Sequence, residues 1–317
     1  ESTTRNSLVS NDAGLTVNIK IMVKIIENYA LHEQIGEGEY GKVFKGVDSK
    51  TKREVAVKVI NVNKFKENPK LEECTLNEID VLSRIDSPHI VKFIEILKTA
   101  NNFYFFYEYC NEGTLEQKIK KFGRLPEQLV LDYLSQMLEA FRILASRNIM
   151  HRDLKPSNIL VHEGRIKIAD FGFCKSLETN KDLAQTMLGS PIYMAPEVLK
   201  GEIYTVRADV WSLGVVLYEM LFGYCPYEES SIARLINLLD EQQLSFSPEV
   251  ARMTPELEEL IRRMLVKDQF KRITWDEIFS YRITPEGISK PSELREKKGF
   301  FNHSSTGSAG KPTTTHL

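Results

Sequence analysis

Residues 151 to 160 read HRDLKPSNIL, and within six positions they set Asp153, Lys155 and Asn158. An ionised carboxylate only accepts hydrogen bonds, an ammonium only donates them, and an amide oxygen can hold a hard cation. Together they could take a proton from a hydroxyl, neutralise an anion and bind a metal. The plain alternative is a solvated turn, because Lys155-Pro156-Ser157-Asn158 has turn chemistry. The rest of the chain has to decide between the two.

Four other stretches carry similar chemistry. Gly36-Glu37-Gly38-Glu39-Tyr40-Gly41 is a G-x-G-x-x-G followed by the strand-like runs KVFKGV and EVAVKVI, with a turn at Asp48-Ser49-Lys50 between them. A dinucleotide fingerprint would open a helix instead, so these glycines sit in a hairpin whose N–H groups could close over phosphates. Lys58 lies in a strand among aliphatics, either as a sheet-edge charge or as a phosphate clamp. Glu78, twenty positions on, falls in the helical stretch LEECTLNEIDVLSRI, where it could hold the Lys58 ammonium. Asp170-Phe171-Gly172 follows the strand-like RIKIA, and Ala195-Pro196-Glu197 comes 25 positions after Asp170.

The elements that must position these groups change character along the chain. From Tyr29 to Tyr109 the runs LHEQI, KVFKGV, EVAVKVI, IVKFIEIL and NFYFFYEY predict an antiparallel sheet with one helix around 70 to 85. After Thr114 helices dominate. Leu129, Tyr133, Met137, Phe141 and Leu144 share one helical face, as do Leu257, Leu260, Ile261, Met264 and Leu265 after Thr254-Pro255. The expected fold class is α+β. It has a small β lobe at 29–109 and a mainly helical lobe at 114–283, hinged at Tyr109 to Gly113, between an extension at 1–28 and a polar tail at 284–317. Residues 1 to 14 and the Ser/Thr/Gly-rich end from Lys297 lack periodicity and are expected to lie outside the fold.

Composition narrows the function classes. The 42 Lys and Arg against 44 Asp and Glu imply no nucleic-acid partner. The four cysteines lack CxxC pairing, which predicts neither a zinc site nor a disulfide framework and suits a reducing, cytoplasmic setting, with the nucleus open. The apolar run Val210 to Tyr224 is shorter than the ~20 residues a membrane span needs, and reads as a buried helix. The chain begins at Glu1 without a leader, so it reads as a fragment.

The ordered set GEGEYGKV, VAVK, Glu78, HRDLKPSN, DFG, SPIYMAPE and ADVWSLG resembles the eukaryotic protein kinases over about residues 29 to 283. The resemblance implies ATP and magnesium as cofactors and proteins as substrates. It implies that Asp153 accepts the substrate hydroxyl proton, that Lys155 neutralises the phosphoryl group, that Asn158 and Asp170 hold the metal, and that Lys58 and Glu78 form the phosphate clamp. It also places Gly36, Gly38 and Gly41 over the phosphates. The adenine would lie between Ile35, Val43 and Ala56 above and Leu160 below, would meet Glu108 and Cys110 through their backbone, and would have Tyr107 behind it. Structural roles fall to a Glu197–Arg272 ion pair and to Asp209 as an anchor of the catalytic loop.

The lysine of HRDLKPSN is the Ser/Thr-kinase form. EYCNEGTL, RIKIADFGF and TMLGSPIYMAPEVL look like the autophagy-initiating branch, with the calcium/calmodulin-dependent group as the other branch in view. Thr186, four residues before Ser190, has the spacing of an activating threonine. Its phosphate, from an upstream kinase or trans-autophosphorylation, would meet Arg152 and Lys175. Two rival functions are a catalytically weak pseudokinase scaffold, which would lack Lys58, Asp153, Asn158 or Asp170, and a small-molecule phosphotransferase, which would lack SPIYMAPE. This chain has all of these.

Overall fold

The computed structural model describes residues 2–10, 16–38, 41–171, 175–176 and 191–290. Short windows of alternating apolar residues pair into one antiparallel sheet. Its strands are β1 (Ser2–Ser10), β2 (Thr16–Ile26), β3 (Tyr29–Glu37), β4 (Lys42–Asp48), β5 (Glu54–Asn61), β6 (Phe93–Lys98) and β7 (Asn102–Glu108). They lie in the order β1-β2-β3-β4-β5-β7-β6. Between β5 and β6 the chain forms α1 (Val62–Glu67) and α2 (Pro69–Ser83). α2 starts where Asn68 accepts the Leu71 N–H and Pro69 takes the first position, which needs no N–H partner.

The aromatic strand β7 serves two cores because successive side chains point to opposite faces. Phe105 and Tyr107 join the main core with Leu71, Val81 and Leu82 of α2. Tyr104 and Phe106 fill a smaller core on the other face with Tyr29, Leu31, Val55 and Val57. Each such burial contributes about 1.5–3 kcal/mol, so the strand is pinned from both sides.

Two sequence expectations differ from the structure. The opening segment, expected outside the fold, supplies β1 and β2, which pair in register from Ser2↔Lys24 to Ser10↔Thr16, and β2 then pairs with β3. The signal was the alternation in TVNIKIMVKII, where Val17, Ile19, Ile21, Val23 and Ile25 recur at every second position. The run from Ile90 begins its strand only at Phe93, because the chain before it pairs elsewhere. The Val91 N–H donates to the Ile168 carbonyl at 2.9 Å, and Ile168 in turn donates to that of His89.

The second lobe continues with α3 (Leu115–Phe122), α4 (Glu127–Ser146), β8 (Ile149–Met150), β9 (Ile159–His162), β10 (Arg165–Ile168), β11 (Lys175–Ser176) and α5 (Pro196–Leu199). It closes with α6 (Arg207–Phe222), α7 (Ile232–Glu241), α8 (Pro255–Met264), α9 (Trp275–Ser280), β12 (Arg282–Thr284) and β13 (Gly287–Ser289). The hairpin of β12 and β13 carries ordered chain past Ile283, with Ile288 in the main core. Nearly every residue of α6 is buried, as expected for a helix apolar on all sides. Gly214 permits its closest approach to α8, since a Cβ there would stand 2.9 Å from that of Met264. No helix among the described residues is long and apolar enough to cross a membrane.

Candidate active site

The loop after β8 turns on a strained residue. Arg152 has φ of 69°, a backbone region costly for a side-chain-bearing residue unless the surroundings hold it there. Asp209, in the first turn of α6, does so. Its carboxylate accepts the His151 N–H at 2.7 Å and the Arg152 N–H at 2.9 Å. Burial pushes the Asp209 carboxyl up, while His151 and the two N–H groups pull it back.

Held this way, the loop gathers its polar groups on Asp153. Oδ2 of Asp153 accepts from Lys155 Nζ at 2.8 Å and from Asn158 Nδ2 at 2.9 Å. Asn158 Nδ2 also donates to the Asp153 carbonyl at 2.8 Å. The amide nitrogen is therefore committed within the loop, and the amide oxygen is the group left for a cation. The Ala169 N–H donates to the Asn158 carbonyl at 2.9 Å, so Asp170, one residue further, leaves β10 beside Asn158. Asp170 also has a positive φ, 63°.

His151 received no role from the sequence. Its ring accepts the Asp153 N–H at Nδ1, lies 3.1 Å from the Ala169 carbonyl at Nε2, and meets Phe171 edge-on with centroids 4.9 Å apart. It is thus a spacer between the loop of Asp153 and the turn of Asp170. The only hint was its place next to Arg152 in a stretch with hydrophobic neighbours on both sides.

Across the cleft, Lys58 Nζ stands 3.4 Å from Glu78 Oε2. The Glu78 charge keeps the lysine protonated against the effect of burial, and burial pushes the Glu78 carboxyl up despite the lysine. Asp170 acts electrostatically on both. The helix α2 and the strand β5 are thereby joined through residues twenty positions apart in the chain.

Gly36 pairs with Val43 one residue before β3 ends, and Gly38 and Gly41 close the tip of the β3–β4 hairpin through a 2.9 Å bond from the Gly38 N–H to the Gly41 carbonyl. A Cβ on Gly41 would stand 2.4 Å from the Val59 carbonyl, so only glycine lets the flap lie this close to β5. Ile35 is exposed, while Val43, Ala56 and Leu160 are half-buried. Glu108 and Cys110 follow Tyr107 at the hinge. The Glu108 carboxylate accepts from the Lys92 N–H and from Lys167 Nζ. Burial, with Glu108 nearby, pushes the Cys110 thiol up to about 12, so it stays a neutral apolar filler.

The regulatory candidates are only partly in view. Arg152 is half-buried with its guanidinium 5.6 Å from the Tyr204 ring centroid, and none of the described carboxylates forms an ion pair with it. Lys175 is placed by its backbone in β11, paired with Met150. Thr186 lies outside the described residues.

The residues present fit a nucleotide with a hard divalent cation. Among the described residues no group of three His, Cys, Asp or Glu could hold a metal by itself. Magnesium does not require one, since it takes one or two oxygen ligands from the protein and the rest from phosphate and water. Asn158 and Asp170 supply that kind of oxygen donor set.

A curled sheet with a glycine flap, a lysine–glutamate clamp and a carboxylate loop on a helical lobe defines the bilobal kinase architecture. Residues 29–283 match the family described as Protein kinase domain, and the chain belongs to that family. It is similar to the serine/threonine-protein kinase ATG1b of Arabidopsis thaliana, 33% identical over 263 residues, 81% of this chain and 37% of the relative. Serine/threonine-protein kinase ULK3 of Xenopus laevis is 35% identical over 86% of this chain and 58% of its own length. Serine/threonine-protein kinase ATG1 of Kluyveromyces lactis is 34% identical over 87% of this chain and 39% of its own length. These are relatives in the branch that EYCNEGTL and TMLGSPIYMAPEVL resemble. The chain spans well under two thirds of their length.

Proposed function

We propose that the chain is an ATP-dependent protein serine/threonine kinase that transfers the γ-phosphoryl group to Ser and Thr hydroxyls of protein substrates in the cytoplasm. The observation that carries this reading is the gathering of Lys155 and Asn158 on one oxygen of Asp153, opposite the Lys58–Glu78 pair. The other Asp153 oxygen accepts the substrate hydroxyl, fixing its direction and taking its proton. Lys155 then turns from Asp153 to the negative charge of the group being transferred. Lys58, held by Glu78, clamps phosphate oxygens, and Asn158 and Asp170 hold the metal. When bound, ATP supplies the phosphoryl group and magnesium offsets its charge. The chain's own contribution is positioning and fixed charge. Mg-ATP and a degenerate peptide array test it: Ser- and Thr-containing peptides are expected to be labelled, and no labelling above background would refute transferase activity.

Substrate choice follows from the same lobe. Acidic residues select upstream arginines in basophilic kinases, and the matching positions here are Thr114, Ser157 and Ile192. Thr114 is spent on capping α3. The remaining acid, Glu219, accepts the Tyr193 hydroxyl at 2.7 Å, and burial pushes its carboxyl up. An arginine would have to displace that bond. The array is therefore expected to show weak selection for Arg, and an apolar preference just after the phosphoacceptor, where Pro191 and Met194 would line the peptide site; Met187, expected beside them, lies outside the described residues. Dominance of Arg three residues upstream would overturn this.

Activation is proposed to run through phosphorylation of Thr186. Two observations support it: the Arg152 guanidinium forms no ion pair with a described carboxylate and rests near the Tyr204 ring, and the backbone of Lys175 pairs two residues before Arg152. A phosphate there could accept one to three charge-assisted hydrogen bonds. Thr186→Ala is expected to lower peptide phosphorylation by about tenfold or more, equivalent to ~1.4 kcal/mol in the barrier, and phosphatase treatment should do the same. Full activity of Thr186→Ala with Arg152 intact would place the switch elsewhere.

A further inference from the structure

Tyr107 ends in an unusual environment for a phenol. It stands in β7 opposite Ala56 of β5 and Phe93 of β6, meets Phe93 edge-on at 5.6 Å between centroids, and is only 8% exposed. Its hydroxyl is buried and makes no close, well-directed hydrogen bond, although the Glu78 carboxylate acts on it as an acceptor. Such orphans are rare, and each calls for a physical reason. The alternation of β7 turns this side chain toward α2 and the cleft, the side on which Lys58 and Glu78 meet.

The charges that act on the hydroxyl are the carboxylates of Glu78 and Asp170, which together with burial keep the phenol protonated well above neutral pH. Surrounded by acceptors, it can only be a donor. Asp170 is assigned to the metal. Glu78 is 4% exposed, and its one close donor, Lys58, is bound through Oε2 at a slack 3.4 Å, with the Tyr107 hydroxyl as a further, weaker side-chain hydrogen-bond partner. A buried carboxylate with a single long bond needs a second donor.

We propose that the Tyr107 hydroxyl is that second donor, and that it holds the Glu78 carboxylate toward Lys58, making Tyr107 a positioning residue for the phosphate clamp. The inference rests on the roles of Lys58 and Glu78 given above. It adds a task to a side chain that otherwise would only shape the rear of the pocket.

Tyr107→Phe keeps the ring and its contact with Phe93 and removes only the donor. In peptide phosphorylation by the purified chain, it is expected to lower kcat about tenfold while KM for ATP stays within about twofold, the pattern of an interaction realised in the transition state. Its effect should largely vanish in a Glu78→Gln background, since residues acting through one contact do not add. Tyr107→4-aminophenylalanine, which retains a donor at the same place, should restore much of the rate. A hydroxyl with no role makes the opposite forecast: Tyr107→Phe would raise Tm by removing an unsatisfied group and leave kcat unchanged. That result, or losses from Tyr107→Phe and Glu78→Gln that simply multiply, overturns the proposal. The clamp itself is read separately from Lys58→Met and Glu78→Gln alone. Wild-type rates in both would overturn the clamp, and with it the positioning role.

Discussion

Asp153→Asn is expected to lower turnover by ~10²- to 10⁴-fold, the usual worth of a group that accepts or directs a reacting proton, and to leave ATP affinity close to that of the unaltered chain. The substitution is nearly isosteric. The Asn oxygen can still accept from Lys155 and from Asn158, which in the structure share Oδ2 of Asp153. The anchor on Asp209 uses only the backbone of His151 and Arg152, so the loop keeps its course. What disappears is the second carboxylate oxygen, replaced by a donor that would meet the substrate hydroxyl with the wrong polarity. The proposed nucleotide contacts, on β3, β4, β5, β9 and the hinge, do not include the Asp153 side chain. Steady-state peptide phosphorylation and nucleotide titration on the same preparation check both halves. Turnover near that of the unaltered chain would remove Asp153 from the reaction.

The largest stability loss is expected from splitting Glu197 and Arg272. Arg272 is 1% exposed and Glu197 3%, and the guanidinium meets the carboxylate through two bonds of 2.6 and 2.8 Å. The remaining donors of Arg272 reach the carbonyls of Val266, Arg207 and Lys267, and its plane lies 5.2 Å from the Trp211 ring centroid. Replacing Glu197 by Ala strands a cation that has nowhere to find water. Breaking one side of such a buried pair costs about 3–5 kcal/mol. For a chain of this size, at about 2–4 °C per kcal/mol, Tm should fall by on the order of 10 °C. Arg272→Lys is also expected to destabilise, because an ammonium cannot make the paired bonds of a guanidinium. Thermal unfolding followed by circular dichroism decides it. A fall of less than about 2 °C for Glu197→Ala would mean that water enters the site and the pair carries little.

The elements and the order of the chemical groups were legible in the chain because they are written in local periodicity. Short β-rich runs mark β3, β4 and β5, a continuous aromatic run marks β7, and the spacing of Leu257, Leu260, Ile261 and Met264 marks α8. Asp153, Lys155 and Asn158 could be singled out together because one loop of six residues carries them. Local pattern also sufficed for the Gly36–Gly41 hairpin, whose neighbours on both sides read as strands. Where the local signal was weaker, as in the polar opening segment, the alternation of β2 was passed over although it was present.

What only the tertiary structure decided is the bonding of distant charges and hydroxyls, including the Tyr193–Glu219 pair that no reading of the sequence proposes. Tyr193 lies 26 residues from Glu219, and Glu197 lies 75 residues from Arg272. Asp209 sits on a helix 58 residues from the His151 N–H that it accepts. A sequence shows that such groups exist, and a family resemblance can suggest pairs, but bond lengths and burial depend on how α6 packs beneath the loop. The orphaned hydroxyl of Tyr107 is of the same kind. Its residue type and strand face follow from its place in β7, whereas its burial without a well-directed bond and its nearness to Glu78 arise only when α2 folds against the sheet. Backbone periodicity is a property of neighbouring residues, and electrostatic partnership is a property of the space they enclose.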